Sequence, residues 1–241
     1  MTNLPGTTAA GASATAGGAG SGLRQAMRLR PETYELVFGT VYTGLAANLL
    51  LVVSCLPALF LVLATDLTAT WPALVVAAPL CGPALAAVFA LFGEFSAEGS
   101  VRPVRAFARA WRRHLRRGLL LGALGTAVTA VLTVDIAYFW GRTAGAVAIP
   151  VLAVLLAGTV VTAVLALAAL PQRADASLRQ ILAAALFLGA RRWYAGAAIV
   201  VVLVLLVSLT AARPAIALGF AASPLLYAVW GAARFALRPP S

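Results

Sequence analysis

Six long apolar runs, separated by short polar breaks, constrain this chain more than any other feature. They lie at about 41–64, 72–94, 118–139, 144–170, 194–212 and 214–233. About 20 apolar residues in a helix cross a bilayer core about 30 Å thick. A soluble fold of 241 residues could not hide so much apolar surface, whereas a bilayer solvates it directly. Composition agrees. Hydrophobic residues make up 62%, charged residues only 10%, and the mean hydropathy is +0.97. Soluble domains carry about 25% charged residues. The expected fold is all-α: a polytopic membrane bundle of about six transmembrane helices, occupying residues 31–238. Pro57, Pro79, Pro83, Pro150 and Pro224 fall inside the runs. Membrane helices tolerate proline where neighbours satisfy the freed carbonyl, so kinks are expected in the first two spans.

Residues 1–22 are mostly Ala, Gly, Thr and Ser, without charged side chains or periodicity. With the following stretch to residue 30 they are expected to form a disordered tail. They do not read as a signal peptide, because Arg24, Arg28 and Arg30 come after them.

Arginine sets the expected orientation. All 18 basic residues are arginine, and the formal net charge is +11. Placing the N-terminus inside puts 16 of them on inner segments and leaves only Arg142 and Arg213 outside. Positive charge collects on the cytoplasmic side of membrane proteins. The sequence therefore predicts a multi-pass membrane protein with both termini cytoplasmic.

Seven of the inner arginines stand in one segment, 102–117. On a helix, Arg102, Arg105, Arg109, Arg112, Arg113 and Arg116 fall within one arc, and Val104, Phe107, Ala108, Trp111 and Leu115 fall opposite. Pro103 suits a first helical turn. The expectation is an amphipathic helix lying in the membrane plane, with aromatics dipping in and arginines on lipid phosphate or an acidic partner. Candidate contact residues are Arg105, Arg109, Trp111, Arg112, Arg113 and Arg116. The greasy face and the tether between two spans argue against nucleic acid. His114 sits at the edge of the apolar face, where packing explains it. The segment 176–192 repeats the pattern loosely: an apolar-faced helix ending in an arginine pair before a span.

Gly118, Gly122, Gly125, Thr129 and Thr133 share one face of the third span. Small residues there let another backbone approach closely, either another helix of the chain or a second copy in a homo-oligomer. The polar residues within or near spans are Asn48, Glu94 and Asp135. An ionisable group in the bilayer marks function by default. For Asn48 a helix–helix hydrogen bond is favoured, and for Glu94 pairing with nearby arginine. Asp135 either lines a cavity or reaches the outer interface or Arg142. Cys55 and Cys81 lie at matching depth and are expected to be buried thiols, with contact open. No cysteine–histidine cluster indicates a metal, and no cofactor is indicated. There is no Walker loop, GxSxG, HExxH or dinucleotide fingerprint, so a non-catalytic role is expected.

Four stretches carry a resemblance: Asn48–Pro57 (NLLLVVSCLP), Gly82–Val88 (GPALAAV), Val104–Arg117 (VRAFARAWRRHLRR) and Asp135–Phe139 (DIAYF). Over about 40–140 the chain resembles the YesL-like family of bacterial integral membrane proteins, a domain of unknown function. The resemblance implies an accessory role linked to carbohydrate ABC transport and carries over no catalytic residues. An independent small-solute transporter is the alternative. The inner loop 171–193 lacks the Glu-Ala-Ala coupling pattern of an ABC permease.

Overall fold

A computed structural model describes residues 31–99, 101–173 and 175–237, for 31–37, 67 and 68 by backbone alone. The expected tail 1–30, and with it Arg24, Arg28 and Arg30, lies outside the described residues, as does Arg238. The chain divides into two compact units between Thr40 and Val41. The second holds the bundle and every site below.

All regular structure among the described residues is helical. The elements are α1 (Pro31–Ser54), α2 (Leu56–Ala64), α3 (Leu67–Ala77), α4 (Cys81–Glu98), α5 (Pro103–Phe139), α6 (Gly145–Ala169), α7 (Leu178–Arg191), α8 (Trp193–Ala212) and α9 (Ala222–Ala236). A 3₁₀ turn, Ala78–Leu80, joins α3 to α4. A π segment, Ala217–Ala221, leads into α9. Five stretches are long and apolar enough to cross a bilayer: Ala69–Glu98, Pro103–Phe139, Gly145–Ala169, Trp193–Ala212 and Pro214–Ala236. At the first expected span, 41–64, the helix is broken. Phe38–Ser54 and Leu56–Ala64 meet at 77°, with the break at Cys55 and Pro57 in the first turn of α2. The nine residues of α2 reach about 14 Å, so α2 alone cannot cross. In the second span Pro79 produces only the 3₁₀ turn, and the helix continues.

Little of the apolar stretch of α5 is fully buried by the protein, and Leu120, Leu124, Val131 and Val134 are exposed. On α8, Val201, Val204 and Val207 are exposed in the same way. Such continuous apolar surface belongs in lipid.

The small-residue face of α5 packs within the chain. A Cβ on Gly118 would lie 2.7 Å from Pro83 Cα, and one on Gly82 would lie 2.3 Å from the Gly118 carbonyl oxygen. A Cβ on Gly122 would lie 2.8 Å from the Pro79 carbonyl oxygen. Backbone therefore meets backbone where α4 crosses α5, and only glycine fits. Further along, Gly125 faces Ala163 of α6, and Thr129 and Thr133 line an apolar groove of about 770 Å³ between α3, α5 and α6.

The basic segment differs from its expected form. It is no separate in-plane helix but the first part of the 37-residue helix α5. That helix is about 55 Å long, against a bilayer core of about 30 Å. The physical reason lies at the junction. Gly118 is held against Pro83, and nothing after Arg117 breaks the helical hydrogen bonding. α7 matches the second basic segment, and it does end, at Arg192, before α8 begins.

Candidate functional site

Side chains at the arginine-rich end of the bundle line an open cavity of about 570 Å³. Four segments build it. α4 contributes Phe89, Gly93, Glu94 and Glu98, and α5 contributes Arg109, Arg113 and His114. The chain after α6 adds Pro171 and Gln172, and α9 adds Trp230 and Arg234.

Local sequence explains each placement. α4 stops at Gly99, whose φ of +70° suits glycine and whose N–H donates to the Phe95 carbonyl. The chain turns and re-enters as a helix at Pro103, after the extended Arg102. The two helices are thereby laid side by side, with Glu94 and Glu98 on one and Arg109 and Arg113 on the other. Arg117 donates to the Ala176 carbonyl at 3.4 Å, which ties α5 to the segment between α6 and α7.

The buried face of α5's basic part is Pro103, Ala106, Phe107, Ala110 and His114. This lies roughly a quarter turn from the face that hydrophobicity alone picks out. Val104 and Ala108 are exposed, and Trp111 is half-buried against the core with its Nε1 buried and without a partner. Only Phe107 of the expected face is fully buried. Close approach to α4 selects alanine, which the large side chains of the predicted face would prevent.

The rotation separates the arginines into two sets. Arg105, Arg112 and Arg116 point away from the bundle, exposed, with no ion pair or hydrogen bond to a described residue. Arg109 and Arg113 flank the cavity. Arg109 and Glu94 approach to 3.9 Å, with side chains 71% and 38% exposed. A pair so long and open contributes at most about 1 kcal/mol. Arg234 lies 4.7 Å from the Trp230 ring centroid, and Trp230 packs on Phe92 and Tyr227. His114 is only 6% exposed. It precedes the apolar stretch of α5. Burial first, and then the charges of Arg113 and Arg117, hold its imidazole below the ordinary histidine range, so it is neutral at pH 7.

The other expected residues fall elsewhere. Asn48, 3% exposed, donates to the Gly219 carbonyl at 2.9 Å, tying α1 to the π segment. Its Oδ1 is buried without a partner. The favoured helix–helix hydrogen bond is thus present. Asp135 lines neither cavity and makes no ion pair with a described residue. Arg142, one of the alternatives for Asp135, stacks over Tyr138 at 3.7 Å. Cys55 and Cys81 are free thiols, Cys55 buried and Cys81 half-buried. Among the described residues no cluster of His, Cys, Asp and Glu could hold a metal.

Sequence reasoning missed Glu98, Gln172, Trp230 and Arg234 as site residues. Only the last two left a local signal, a Trp–Arg pair at i, i+4 spacing on one helix face. No family model, curated protein or solved structure matches the chain. The fold itself defines the class: a multi-pass helical membrane protein with a charged cavity at one end.

Proposed function

We propose that this chain is a non-catalytic accessory subunit in a bacterial plasma membrane, with both termini cytoplasmic, serving a carbohydrate ABC transporter. The observation that carries this reading is the outward arginine set. Arg105, Arg112 and Arg116 stand on a helix that outruns the bilayer, with no ion pair to a described residue. Each guanidinium is a rigid fork suited to carboxylates on a partner's surface. Anionic headgroups of the inner leaflet form a second, weaker contact for the same face. The resemblance of 40–140 to YesL-like proteins supports the link to carbohydrate transport.

Purification from native membranes in mild detergent, followed by mass spectrometry, tests the reading. A transporter subunit is expected in stoichiometric amount with the native chain, and its recovery is expected to drop at least about tenfold with Arg105, Arg112 and Arg116 all changed to Gln. Undiminished recovery would overturn the role given to that face. The alternative, an independent small-solute transporter, draws on the break at Cys55 and the π segment, since discontinuous helices form substrate sites in transporters. Solute flux by the purified chain in proteoliposomes would favour it.

A further inference from the structure

We propose that the cavity between α4, α5 and α9 binds a single phosphate-bearing group, held by Arg113 and Arg234. The site lies on the other flank of α5 from the outward arginines, and it stands whether or not the protein serves a transporter.

Charge is the first argument. Five charged side chains line the cavity: Arg109, Arg113, Arg234, Glu94 and Glu98. Glu94 is engaged with Arg109. Arg113 and Arg234 make no ion pair with a described residue. With His114 neutral, the lining carries one net positive charge, which matches a phosphodiester. Two guanidinium forks bind phosphate oxygens with charge-assisted hydrogen bonds. Glu98 stands at the rim and opposes entry of a second anion.

Shape is the second argument. About 570 Å³ falls in the usual range for small-molecule sites, roughly 300–1,000 Å³. That is room for a phosphate with a glycerol-sized group. Phe89, Ala90, Gly93 and Trp230 offer such a group an apolar wall. Arg234 is already oriented by its stack on Trp230, so less freedom is lost on binding. His114 faces the cavity without a hydrogen bond to any described residue, leaving ring nitrogens for a ligand oxygen. Position is the third. Basic pockets between membrane helices at the headgroup level take lipid phosphates, and this cavity lies just before the apolar stretch of α5 and at the C-terminal end of α9.

The chemistry is shared by a lipid headgroup and a free phosphate ester, and titration separates them. The full chain, in neutral maltoside detergent, is titrated calorimetrically with dihexanoyl phosphatidylglycerol, glycerol phosphate and, as the phosphate-free control, dihexanoylglycerol. One saturable site per chain is expected for a phosphate compound and none for the control. Preference for the lipid assigns the source as the membrane, and equal or better binding of glycerol phosphate assigns a soluble ester; either outcome supports the site. Arg113→Gln with Arg234→Gln is expected to weaken binding at least about tenfold. Both residues are exposed, so folding should survive. Glu98→Gln should act oppositely and tighten it about threefold. The outward triple Arg105→Gln, Arg112→Gln, Arg116→Gln should leave it within about twofold. No saturable binding of any phosphate compound, or equal loss in the outward triple variant, would overturn the proposal.

Discussion

The two basic segments, 103–117 and 178–191, share one pattern and end differently. Both are apolar-faced helices that close on an arginine pair before a membrane stretch. The first runs on through Arg116 and Arg117 into its span without a break. The second breaks at Arg192, whose φ of −109° and ψ of 54° are not helical. The junction residues make the difference. Gly118 is clamped against Pro83 and Gly82, which keeps α5 continuous. Arg192 donates to the Phe235 carbonyl and lies 4.9 Å from the Phe235 ring centroid, and Tyr194 packs on the same ring. The end of α9 thus holds the turn between α7 and α8. Amphipathicity says which residues avoid water. The residues just past the last turn decide whether the helix lies apart from its span or extends it.

The largest effect should come from breaking the clamp. Gly118→Leu would drive a side chain into the Pro83 backbone and is expected to cost at least about 3 kcal/mol, seen as a large fall in thermal midpoint in detergent. Gly158, where an added Cβ would meet nothing within 4 Å, gives the contrast: Gly158→Ala should be neutral or stabilise by up to about 1 kcal/mol. Next in size is the other junction. Arg192→Ala removes a carbonyl hydrogen bond and a ring contact and should cost about 1–2 kcal/mol by the same measurement.

A smaller effect should follow pH. The folded protein holds His114 below its ordinary value of 6.5. An unfolded chain therefore takes up the proton first, and stability should decline as pH falls below about 6.5. The charged groups that line the same cavity as His114 are Glu94 and Glu98 from α4, Arg109 and Arg113 on α5, and Arg234 from α9, and the charges of Arg113 and Arg117 act on its ring. His114→Gln should flatten the part of the pH profile between about 6.5 and 5 that the carboxylates do not cause. A native-like slope in the variant would contradict the assignment. The smallest effect belongs to the outward arginines. Changing Arg105, Arg112 and Arg116 to Gln should move stability by under about 0.5 kcal/mol, because none of them makes an ion pair or hydrogen bond to a described residue of the bundle.

The all-α bundle was legible because bilayer thickness fixes span length and five runs meet it outright. Pro57 marked the first break, although the bend falls at Cys55. The face of α5 that packs on α4 was not legible. Phe107 and Trp111 are hydrophobic whether lipid or protein covers them, and the alanines that fit the tight crossing carry little signal. The glycine face was readable, since close approach has a residue-size requirement. The cavity was not, because Glu98, Arg113, Gln172 and Arg234 come from segments far apart in the chain.

The central claim is that the basic segment and the third span are one continuous helix, which exposes one arginine set and turns the other to the cavity. Spin labels at Ala108 and Val131, both exposed, test it by pulsed electron resonance in liposomes. A continuous helix predicts a separation of about 35 Å, at about 1.5 Å per residue. A helix folded into the membrane plane after Arg117 would give about 25 Å, and that result would contradict the account.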